Sequence, residues 1–530
     1  MTNDLGEKHG GRRMLLGAAS GLMLYLSFPP ASVYLLAWVA ALPLLWLAAQ
    51  DPRKALLPGY AAGATFFILG LAWVRCATYA GWIVLALFLG LYVMAFAVVS
   101  GFLRRRTHLP LAIIAPAVWV TLEAVRSNVM SGFPYLLLGH SQIDDVRLMQ
   151  VIDVTGVYGV SFIVMAANGL LAEVLLATVT RRLAATVASA LVVAAALVVA
   201  FSYGQHRLAT LQTRTGPEVC IVQANIPQEI KNSMSRRETY DFFTSVLVKH
   251  IKLTRDCLNE SEYINTPNSP QPLVIWPETA VPGPFNDISS LWTLELRSNI
   301  DIAVLKDFNV NSLLLGVTSM DVVDGKKFAF NSAVHVRGRC DNSQRYDKMH
   351  LVPFGEYIPL PWLLFPLRPL VPIELPFSEG NEYTIFEHEG EKFAVVICYE
   401  DVFPGLVRHF VGRGADFIVN ISNEGWFFTT AEADQHLAIA RCRAIENRIG
   451  LVRATNSGIS CLIDPAGRVE KVIQQDGQTK LVQGWLSGHV TLGSRDAAYT
   501  RIGDAFALGC IGLTVLLAAA AGMLSMRKPR

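Results

Sequence analysis

Long apolar stretches divide this chain into a part typical of membrane helices and a part typical of soluble protein. Residues 13–203 and 504–526 are nearly uncharged, whereas residues 216–497 have an ordinary mixture of apolar, polar and charged positions. A helix needs roughly 20 mostly apolar residues to cross a bilayer. Eight such segments are predicted, near residues 13–28, 33–50, 55–74, 81–103, 109–126, 157–178, 183–203 and 504–526.

The soluble region alternates between short β-rich runs and amphipathic helical segments. Strands are predicted near residues 219–225, 273–276, 312–317, 331–336, 393–397, 416–422, 451–455 and 460–463. Helices are predicted over residues 236–257, 287–307 and 435–450. Buried strands that are covered by helices indicate a layered α/β sandwich.

These patterns predict three consecutive parts of the chain. Residues 1–203 form a membrane domain of seven helices, residues 204–503 form a soluble domain, and residues 504–530 form an eighth membrane helix with a short tail. A cleaved signal peptide is the alternative for the first span. We disfavour it because six more spans follow at once and no small-residue cleavage site stands out.

The composition agrees with a membrane protein. Of the 530 residues, 52% are hydrophobic and 17% are charged, with a mean hydropathy of +0.37, whereas about 25% charged residues is usual in soluble proteins. The net charge is +2 without a basic stripe, so nucleic acid is not expected as a partner. The eight cysteines are scattered and lack CxxC spacing, which predicts neither a zinc site nor a disulfide framework.

The distribution of lysine and arginine predicts the orientation in the membrane, because cytoplasmic loops carry an excess of these residues. If the spans alternate, one side holds Lys8, Arg12, Arg13, Arg53, Lys54, Arg104, Arg105, Arg106, Arg181, Arg182, Arg527, Lys528 and Arg530. The opposite short loops hold only Arg75, Arg126 and Arg147. Both termini are therefore expected in the cytoplasm and the soluble domain outside it, which in a bacterium is the periplasmic face of the inner membrane.

The segment between the fifth and sixth spans is rich in aromatic residues and glycine. Glu123 and Arg126 lie at the end of span five, and they are followed by Ser131-Gly-Phe-Pro-Tyr135 and Gly139-His-Ser-Gln142. Two interpretations remain open. The segment is either an interfacial aromatic belt with an ion pair at a helix end, or a platform that admits a lipid tail to the outer domain.

Three residues with complementary chemistry follow predicted strands of the soluble region. Cys398 ends the apolar run 393–397, Glu278 follows the run 273–276, and Lys348 lies in a loop after the run 331–336. A thiol, a carboxylate and a cation in this order suggest acyl transfer through a thioester. Each residue also has a purely structural alternative: Cys398 as a small buried apolar side chain, Glu278 as a helix cap, and Lys348 as a surface lysine.

Four motifs carry a resemblance to a known family. They are Trp276-Pro-Glu278, Lys348-Met-His-Leu-Val-Pro-Phe-Gly-Glu356, Ile397-Cys-Tyr-Glu400 and Ser422-Asn-Glu-Gly-Trp-Phe427. With these motifs and the predicted spans, nearly the whole chain resembles the apolipoprotein N-acyltransferases, a membrane branch of the nitrilase (carbon–nitrogen hydrolase) superfamily. The resemblance implies a four-layer αββα sandwich for the soluble domain.

The resemblance also implies a Glu–Lys–Cys triad, with Glu278 as general base, Lys348 as oxyanion-stabilising cation and Cys398 as nucleophile. The backbone N–H of Tyr399 is expected to be a second oxyanion donor. Glu356 is expected to orient the lysine, and Glu400 to shape the surroundings of the thiol. His350 and His436 are expected to be structural rather than catalytic.

The implied reaction moves a fatty acyl chain from a membrane phospholipid, with phosphatidylethanolamine as the expected donor, to a lipoprotein. The acceptor is the α-amino group of an N-terminal diacylglyceryl-cysteine, and no metal or organic cofactor is expected. The alternatives are a membrane-tethered amidase or nitrile hydrolase and a transporter with an appended domain. Two departures from the family concern substrate handling: Glu424-Gly425 replaces the usual Asp-Ala, and residues 228–232, ending at Asn232, lack a tryptophan often found there.

Overall fold

The computed structural model describes residues 2–180, 183–227, 236–261, 270–358, 376–427 and 430–526. Several residues used in the sequence analysis lie outside these ranges, namely Arg181, Arg182, Arg527, Lys528, Arg530 and the segment 228–232. The described chain forms two compact units. Unit 1 comprises Met1–Thr210, Thr430–Cys442 and Ile502–Arg530, and unit 2 comprises Leu211–Thr429 and Arg443–Arg501.

Unit 1 is helical. Its principal helices are α1 (Thr2–Leu26), α2 (Leu42–Gln50), α3 (Leu56–Gly70), α4 (Tyr79–Thr107), α5 (Leu111–Asn128), the short α6 (Val146–Met149) and α7 (Ile152–Thr155), α8 (Val157–Thr180), α9 (Leu183–Thr210) and, near the C-terminus, α15 (Ala505–Met526). Short 3-10 turns connect them at Tyr34–Trp38, Pro52–Ala55, Ala72–Cys76, Val129–Ser131 and Leu138–Gln142.

Among the described residues, four helices are long and apolar enough to cross a membrane: Tyr79–Thr107, Val157–Leu176, Leu183–Thr210 and Ala505–Ser525. The other four predicted spans stay predictions. The segment 33–50 is divided into a 3-10 turn and the nine-residue α2, and α3 has 15 residues, fewer than a bilayer crossing needs. The bounds 1–203, 204–503 and 504–530 also stay a prediction.

The segment between α5 and α8 packs into unit 1 through Glu123 and Arg126. Glu123 accepts hydrogen bonds from Trp119 Nε1 at 2.8 Å and from the backbone N–H of Leu138 at 2.6 Å. Arg126 donates to the carbonyl of Tyr135 at 2.6 Å. The two charged side chains therefore fix the backbone of the loop, whose Tyr135 is itself buried.

Residues 430–442 belong to unit 1 although they lie far along the chain from its helices. Gln435 accepts a hydrogen bond from Trp73 Nε1 at 3.1 Å, and Glu432 accepts one from the hydroxyl of Tyr135 at 3.2 Å. His436 lies beside Glu432, with 3.4 Å between Nδ1 and Oε1. These polar side chains are buried. Because each of them has a polar partner, the helix that carries them can lie in the interior of the unit.

Unit 2 contains two β-sheets and their covering helices. Its strands are β1 (Arg214–Gln223), β2 (Leu273–Ile275), β3 (Val281–Pro284), β4 (Ser312–Val323), β5 (Lys326–Arg337), β6 (Arg339–Asp347), β7 (Phe386–His388), β8 (Glu391–Ile397), β9 (Phe417–Ser422), β10 (Gly450–Thr455), β11 (Cys461–Ile463), β12 (Val469–Val472) and β13 (Gly484–Leu492). Its helices are α10 (Arg236–Glu260), α11 (Leu291–Ile300), α12 (Pro404–Gly412), the C-terminal end of α13 (Glu432–Asn447) and α14 (Ala498–Ile502).

In the part of the chain that the structure describes, the first sheet has the order β13-β1-β2-β4-β5-β6, with β3 paired to β4, and the second has the order β12-β11-β10-β9-β8-β7. Helices α10 and α11 bury an apolar face on the first sheet, in one cluster with its central strands. His335 of the first sheet packs edge-on against Phe386 and Phe393 of the second. The sheets are thus packed face to face, as the layered α/β prediction requires.

Strands β3, β7 and β12 were not predicted from the sequence. Strands β6 and β13 were not predicted either. Both lie at the ends of the first sheet, and each pairs with a single neighbour. An end strand needs fewer apolar residues than a central one, so β6 consists mainly of polar residues and lacks the apolar run that marks a buried strand.

The prediction of no disulfide framework is wrong for one pair. Cys220 of β1 and Cys257 of α10 form a disulfide with a Cα–Cα distance of 6.2 Å, although they are 37 residues apart. Both side chains lie where α10 packs against the first sheet. Spacing along the chain could not reveal the pair because tertiary packing brings the two residues together.

Candidate active site

The proposed base and cation follow two different strands and meet at one buried position. Glu278 comes three residues after the end of β2, and Lys348 comes directly after β6. The distance from Lys348 Nζ to Glu278 Oε1 is 3.9 Å, and to Glu356 Oε1 it is 2.9 Å. Lys348 is only 1% exposed. The structure therefore brings together Glu278, Lys348 and Glu356.

Cys398 occupies a strained turn at the end of β8. Its φ is +52°, a left-handed conformation that costs of order 1–3 kcal/mol for a residue other than glycine. The 3-10 turn Cys398–Val402 begins at this residue, and the side-chain amide of Asn420 donates to the Cys398 carbonyl at 3.2 Å. Cys398 is not disulfide-bonded, and the residue is half-buried. A sharp turn of this kind separates a reactive side chain from the strand that carries it.

Glu278 is surrounded by hydrogen-bond donors as well as by charge. Its Oε1 accepts from the side-chain amide of Asn331 at 2.7 Å, and its Oε2 accepts from the backbone N–H of Asn423 at 2.8 Å. Burial raises the pKa of Glu278 above its usual value, against the opposing effects of Lys348 and these two donors. A carboxylate with a raised pKa is a better acceptor for a thiol proton at neutral pH.

Lys348 is held in the charged form by its neighbours. Burial by itself lowers the pKa of Lys348, but the nearby carboxylates of Glu356 and Glu278 and the negative charge at Cys398 raise it well above the ordinary value. These negative charges therefore favour the charged form of Lys348, which a role in oxyanion stabilisation requires.

Asn331 also belongs to the site, although it was not predicted from the sequence. Its side-chain amide donates to Glu278 Oε1 at 2.7 Å and to Glu356 Oε1 at 2.9 Å, so one amide links the two carboxylates. It lies within β5 and has no local motif around it. Other polar residues, among them Ser332 and His335, lie in the same strand, so the sequence pattern does not distinguish Asn331 from them.

Glu400 links the thiol turn to the lysine loop. Its Oε2 accepts from the backbone N–H of Ile397 at 2.7 Å, and its Oε1 accepts from the N–H groups of Met349 and His350 at 2.7 and 3.0 Å. The Tyr346 hydroxyl adds a fourth bond at 2.8 Å. Burial raises the pKa of Glu400 to about 7. Through these contacts Glu400 connects residues that flank Cys398 to residues that flank Lys348.

Two aromatic contacts position the residues beside Cys398 and Lys348. The ring centroids of His350 and Phe403 are 3.6 Å apart, and those of Tyr399 and Phe403 are 5.1 Å apart. His350 is thus packed among aromatic side chains. The role of the Tyr399 backbone N–H in an oxyanion site stays a prediction.

Comparisons with known proteins agree with both halves of the chain. Residues 20–170 match the family model described as apolipoprotein N-acyltransferase N-terminal domain, and residues 265–484 match the model described as carbon-nitrogen hydrolase. The chain is 33% identical to the apolipoprotein N-acyltransferase of Geobacter metallireducens over 524 residues, which cover 96% of this chain and 95% of the relative.

Two further relatives carry the same description. The apolipoprotein N-acyltransferase of Photobacterium profundum is 30% identical over 484 residues, which cover 87% of each chain. That of Vibrio cholerae is 31% identical over 494 residues, which cover 88% of this chain and 90% of the relative. The similarity therefore extends over the helical part and the sheets together, and is not limited to the domain that contains Cys398.

Proposed function

This chain belongs to the apolipoprotein N-acyltransferase family, and on that premise we propose that it transfers a fatty acyl chain from a membrane phospholipid to a lipoprotein. The acceptor is the α-amino group of an N-terminal diacylglyceryl-cysteine. The observation that supports this most directly is the buried cluster of Glu278, Lys348 and Glu356, together with the strained turn of Cys398. The site thus contains a base, a cation and a thiol, and the thiol lies on a turn and not within a strand.

In the first half-reaction, Cys398 attacks the ester carbonyl of the phospholipid. Glu278 accepts the thiol proton as the S–C bond forms, and the negative charge on the carbonyl oxygen is stabilised by Lys348 and the backbone N–H of Tyr399. The C–O bond then breaks, and the proton passes from Glu278 to the departing lysophospholipid oxygen. A thioester remains on Cys398.

In the second half-reaction, the lipoprotein amine attacks the thioester carbonyl. Glu278 takes a proton from the attacking nitrogen, the C–N bond forms, and the C–S bond breaks. The sulfur leaves as thiol after it receives that proton. The two halves share one base and one oxyanion site, which is the requirement for ping-pong kinetics.

The supporting residues have different duties in this scheme. Glu356 orients Lys348 through the 2.9 Å ion pair, and Asn331 holds Glu356 and Glu278 at a fixed separation. Glu400 braces the backbone on both sides of the thiol. No metal or organic cofactor enters any step.

We also propose the membrane arrangement predicted from the sequence: eight spans, cytoplasmic termini, and the catalytic domain on the periplasmic face of the inner membrane. The Cys220–Cys257 disulfide supports this side for the catalytic domain, since disulfides persist mainly in oxidising compartments. Four long apolar helices support the membrane location itself.

The function is tested with the full-length protein in detergent and a phospholipid that carries a radiolabelled acyl chain. Without acceptor, label should become bound to the protein and be released by hydroxylamine, as a thioester is. With a diacylglyceryl-cysteine peptide, label should move to the peptide amine. Release of free fatty acid in place of transfer would indicate a hydrolase, and no labelling of the protein would exclude the thioester.

A further inference from the structure

Arg453 is a fully buried cation that the proposed reaction does not use. It lies on β10 with 0% exposure, and its guanidinium donates to Asp401 Oδ2 at 3.0 Å and to Glu424 Oε1 at 2.5 Å. Both carboxylates are buried as well. A buried guanidinium requires such partners, and its planar fork can hold two carboxylates at a fixed separation, which a lysine cannot do.

One of the two carboxylates belongs to the turn that carries the thiol, and the other belongs to a turn next to a residue that binds the base. Asp401 lies in the 3-10 turn that begins at Cys398. Glu424 begins the next turn, Glu424–Trp426, directly after Asn423, whose backbone N–H binds the Glu278 carboxylate. Arg453 therefore connects the turn of the nucleophile to the turn that orients the base.

Gly458 provides the space that Glu424 occupies. A Cβ atom at Gly458 would lie 1.7 Å from Glu424 Oε2 and 2.5 Å from its Cδ, both far inside van der Waals contact. The backbone of Gly458 is not in the left-handed region, so an alanine there is opposed by the Glu424 side chain and not by its own φ. The absence of a side chain at Gly458 therefore leaves room for the Glu424 carboxylate.

We propose that Arg453, Glu424 and Gly458 are positioning residues that set the placement of Glu278 relative to Cys398. The inference rests on the proposed function, because its effect is measured as the rate of thioester formation. Arg453, Glu424 and Gly458 act through the Cys398–Val402 turn on one side and through the Asn423 N–H on the other.

The decisive variant is Gly458→Ala, which pushes the Glu424 carboxylate away without changing any charge. Thioester formation in single turnover should slow about tenfold or more, since a misplacement near 1 Å can cost roughly a hundredfold. The double variant Gly458→Ala with Glu424→Asp should recover most of the loss, because the shorter side chain leaves room for the new methyl group. Gly405→Ala is the matched control, since a Cβ at Gly405 meets nothing within 4 Å.

The pH profile separates positioning from loss of stability. The Asn423 N–H lowers the pKa of Glu278, so displacement of its turn should move the acid limb of the rate profile to higher pH. Lys348 and Glu356, the charged groups that face Glu278, are the same in all these variants. A protein that is only less stable would have a smaller active fraction with the limb unmoved.

Thermal melting of each variant completes the test. If Gly458→Ala does not fold, Arg453→Lys takes its place, because it keeps the charge and loses the fork; it should slow thioester formation and move the acid limb in the same direction. Wild-type rates in Gly458→Ala would overturn the inference. So would slow rates with an unmoved acid limb and no recovery in the double variant. Failure of the wild-type protein to form a thioester would instead overturn the proposed function.

Discussion

The ammonium group of Lys348 lies 2.9 Å from Glu356 Oε1, closer than it lies to the proposed base. The ion pair is buried on the lysine side, so neither solvent nor salt screens it strongly. Glu356 thus fixes the position of the Lys348 ammonium group. Substitutions at Lys348 and at Glu356 should therefore have different effects on the reaction rate.

Lys348→Met should slow thioester formation about a hundred- to a thousandfold, since one oxyanion contact contributes roughly 2.7–4 kcal/mol. Glu356→Gln should be milder, because the amide oxygen can still accept a hydrogen bond from Lys348 Nζ. Single-turnover labelling with radioactive phospholipid measures both variants. Lys327→Met, a change of an exposed lysine on β5, is the control. Equal defects in Glu356→Gln and Lys348→Met would show that Glu356 does more than orient the cation.

Asn331→Ala removes the amide that links Glu278 to Glu356. The Asn331 hydrogen bond lowers the pKa of Glu278, so its loss should raise that pKa and leave more of the base protonated at a given pH. The acid limb of thioester formation should therefore move to higher pH, with the rate partly restored in alkaline buffer. Asn342→Ala on β6, which is exposed, should leave the profile in place. An unchanged acid limb in Asn331→Ala would contradict the bridging role.

Cys398→Ala should abolish acyl labelling of the protein. The reason is that Cys398 is not disulfide-bonded, lies in the left-handed turn at the end of β8, and interacts electrostatically with Lys348. Cys461→Ala, at a buried cysteine within β11 that is not disulfide-bonded, should label almost normally. Intact-mass spectrometry should show the gain of one fatty acyl group in the control and none in Cys398→Ala. Full labelling of Cys398→Ala would reject the nucleophile assignment.

Apolar β-rich runs mark buried strands, so the placement of Glu278 and Cys398 after β2 and β8 could be predicted from the sequence. Lys348 follows β6, whose residues are mainly polar, so a loop and not a strand was predicted before it. Asn331 could not be predicted in this way. Its two partners lie 53 and 25 residues away, and nothing in its immediate neighbourhood marks it.

Helix α13 shows a different limit of sequence reasoning. Its amphipathic pattern predicted a helix in the soluble domain, and the helix is present. Its polar residues Glu432 and Gln435, however, are bonded to Tyr135 and Trp73, about 300 and 360 residues earlier in the chain. In a sequence, a polar residue that is buried beside a partner cannot be distinguished from one that is exposed to solvent. The packing of residues 430–442 in unit 1 could therefore be seen only in the structure.

The Cys220–Cys257 disulfide gives a chemical test of the side on which the catalytic domain lies. Protein purified from membranes without reductant should resist alkylation at both cysteines, and reduction should expose them. An independent measurement uses a reporter active only outside the cytoplasm, which should work when fused near Asp321 and fail when fused after Arg530. Two freely alkylated thiols together with the reverse reporter pattern would place the domain in the cytoplasm, away from lipoprotein substrates.

Glu278→Gln tests whether Glu278 is the group that accepts the thiol proton. The amide keeps the size of the side chain and can still accept from Asn423, but it cannot take the thiol proton. Thioester formation should fall at least a hundredfold, the lower range for general base catalysis. In the wild type, burial raises the pKa of Glu278, so the rate should decline as the pH falls through a value above the ordinary carboxyl range. Glu278→Gln should lose this limb and increase steadily with pH, because solvent base must then remove the proton. Glu387→Gln, an exposed glutamate on β7, should keep the wild-type profile. A near-normal rate with an intact acid limb in Glu278→Gln would assign the proton transfer to another group.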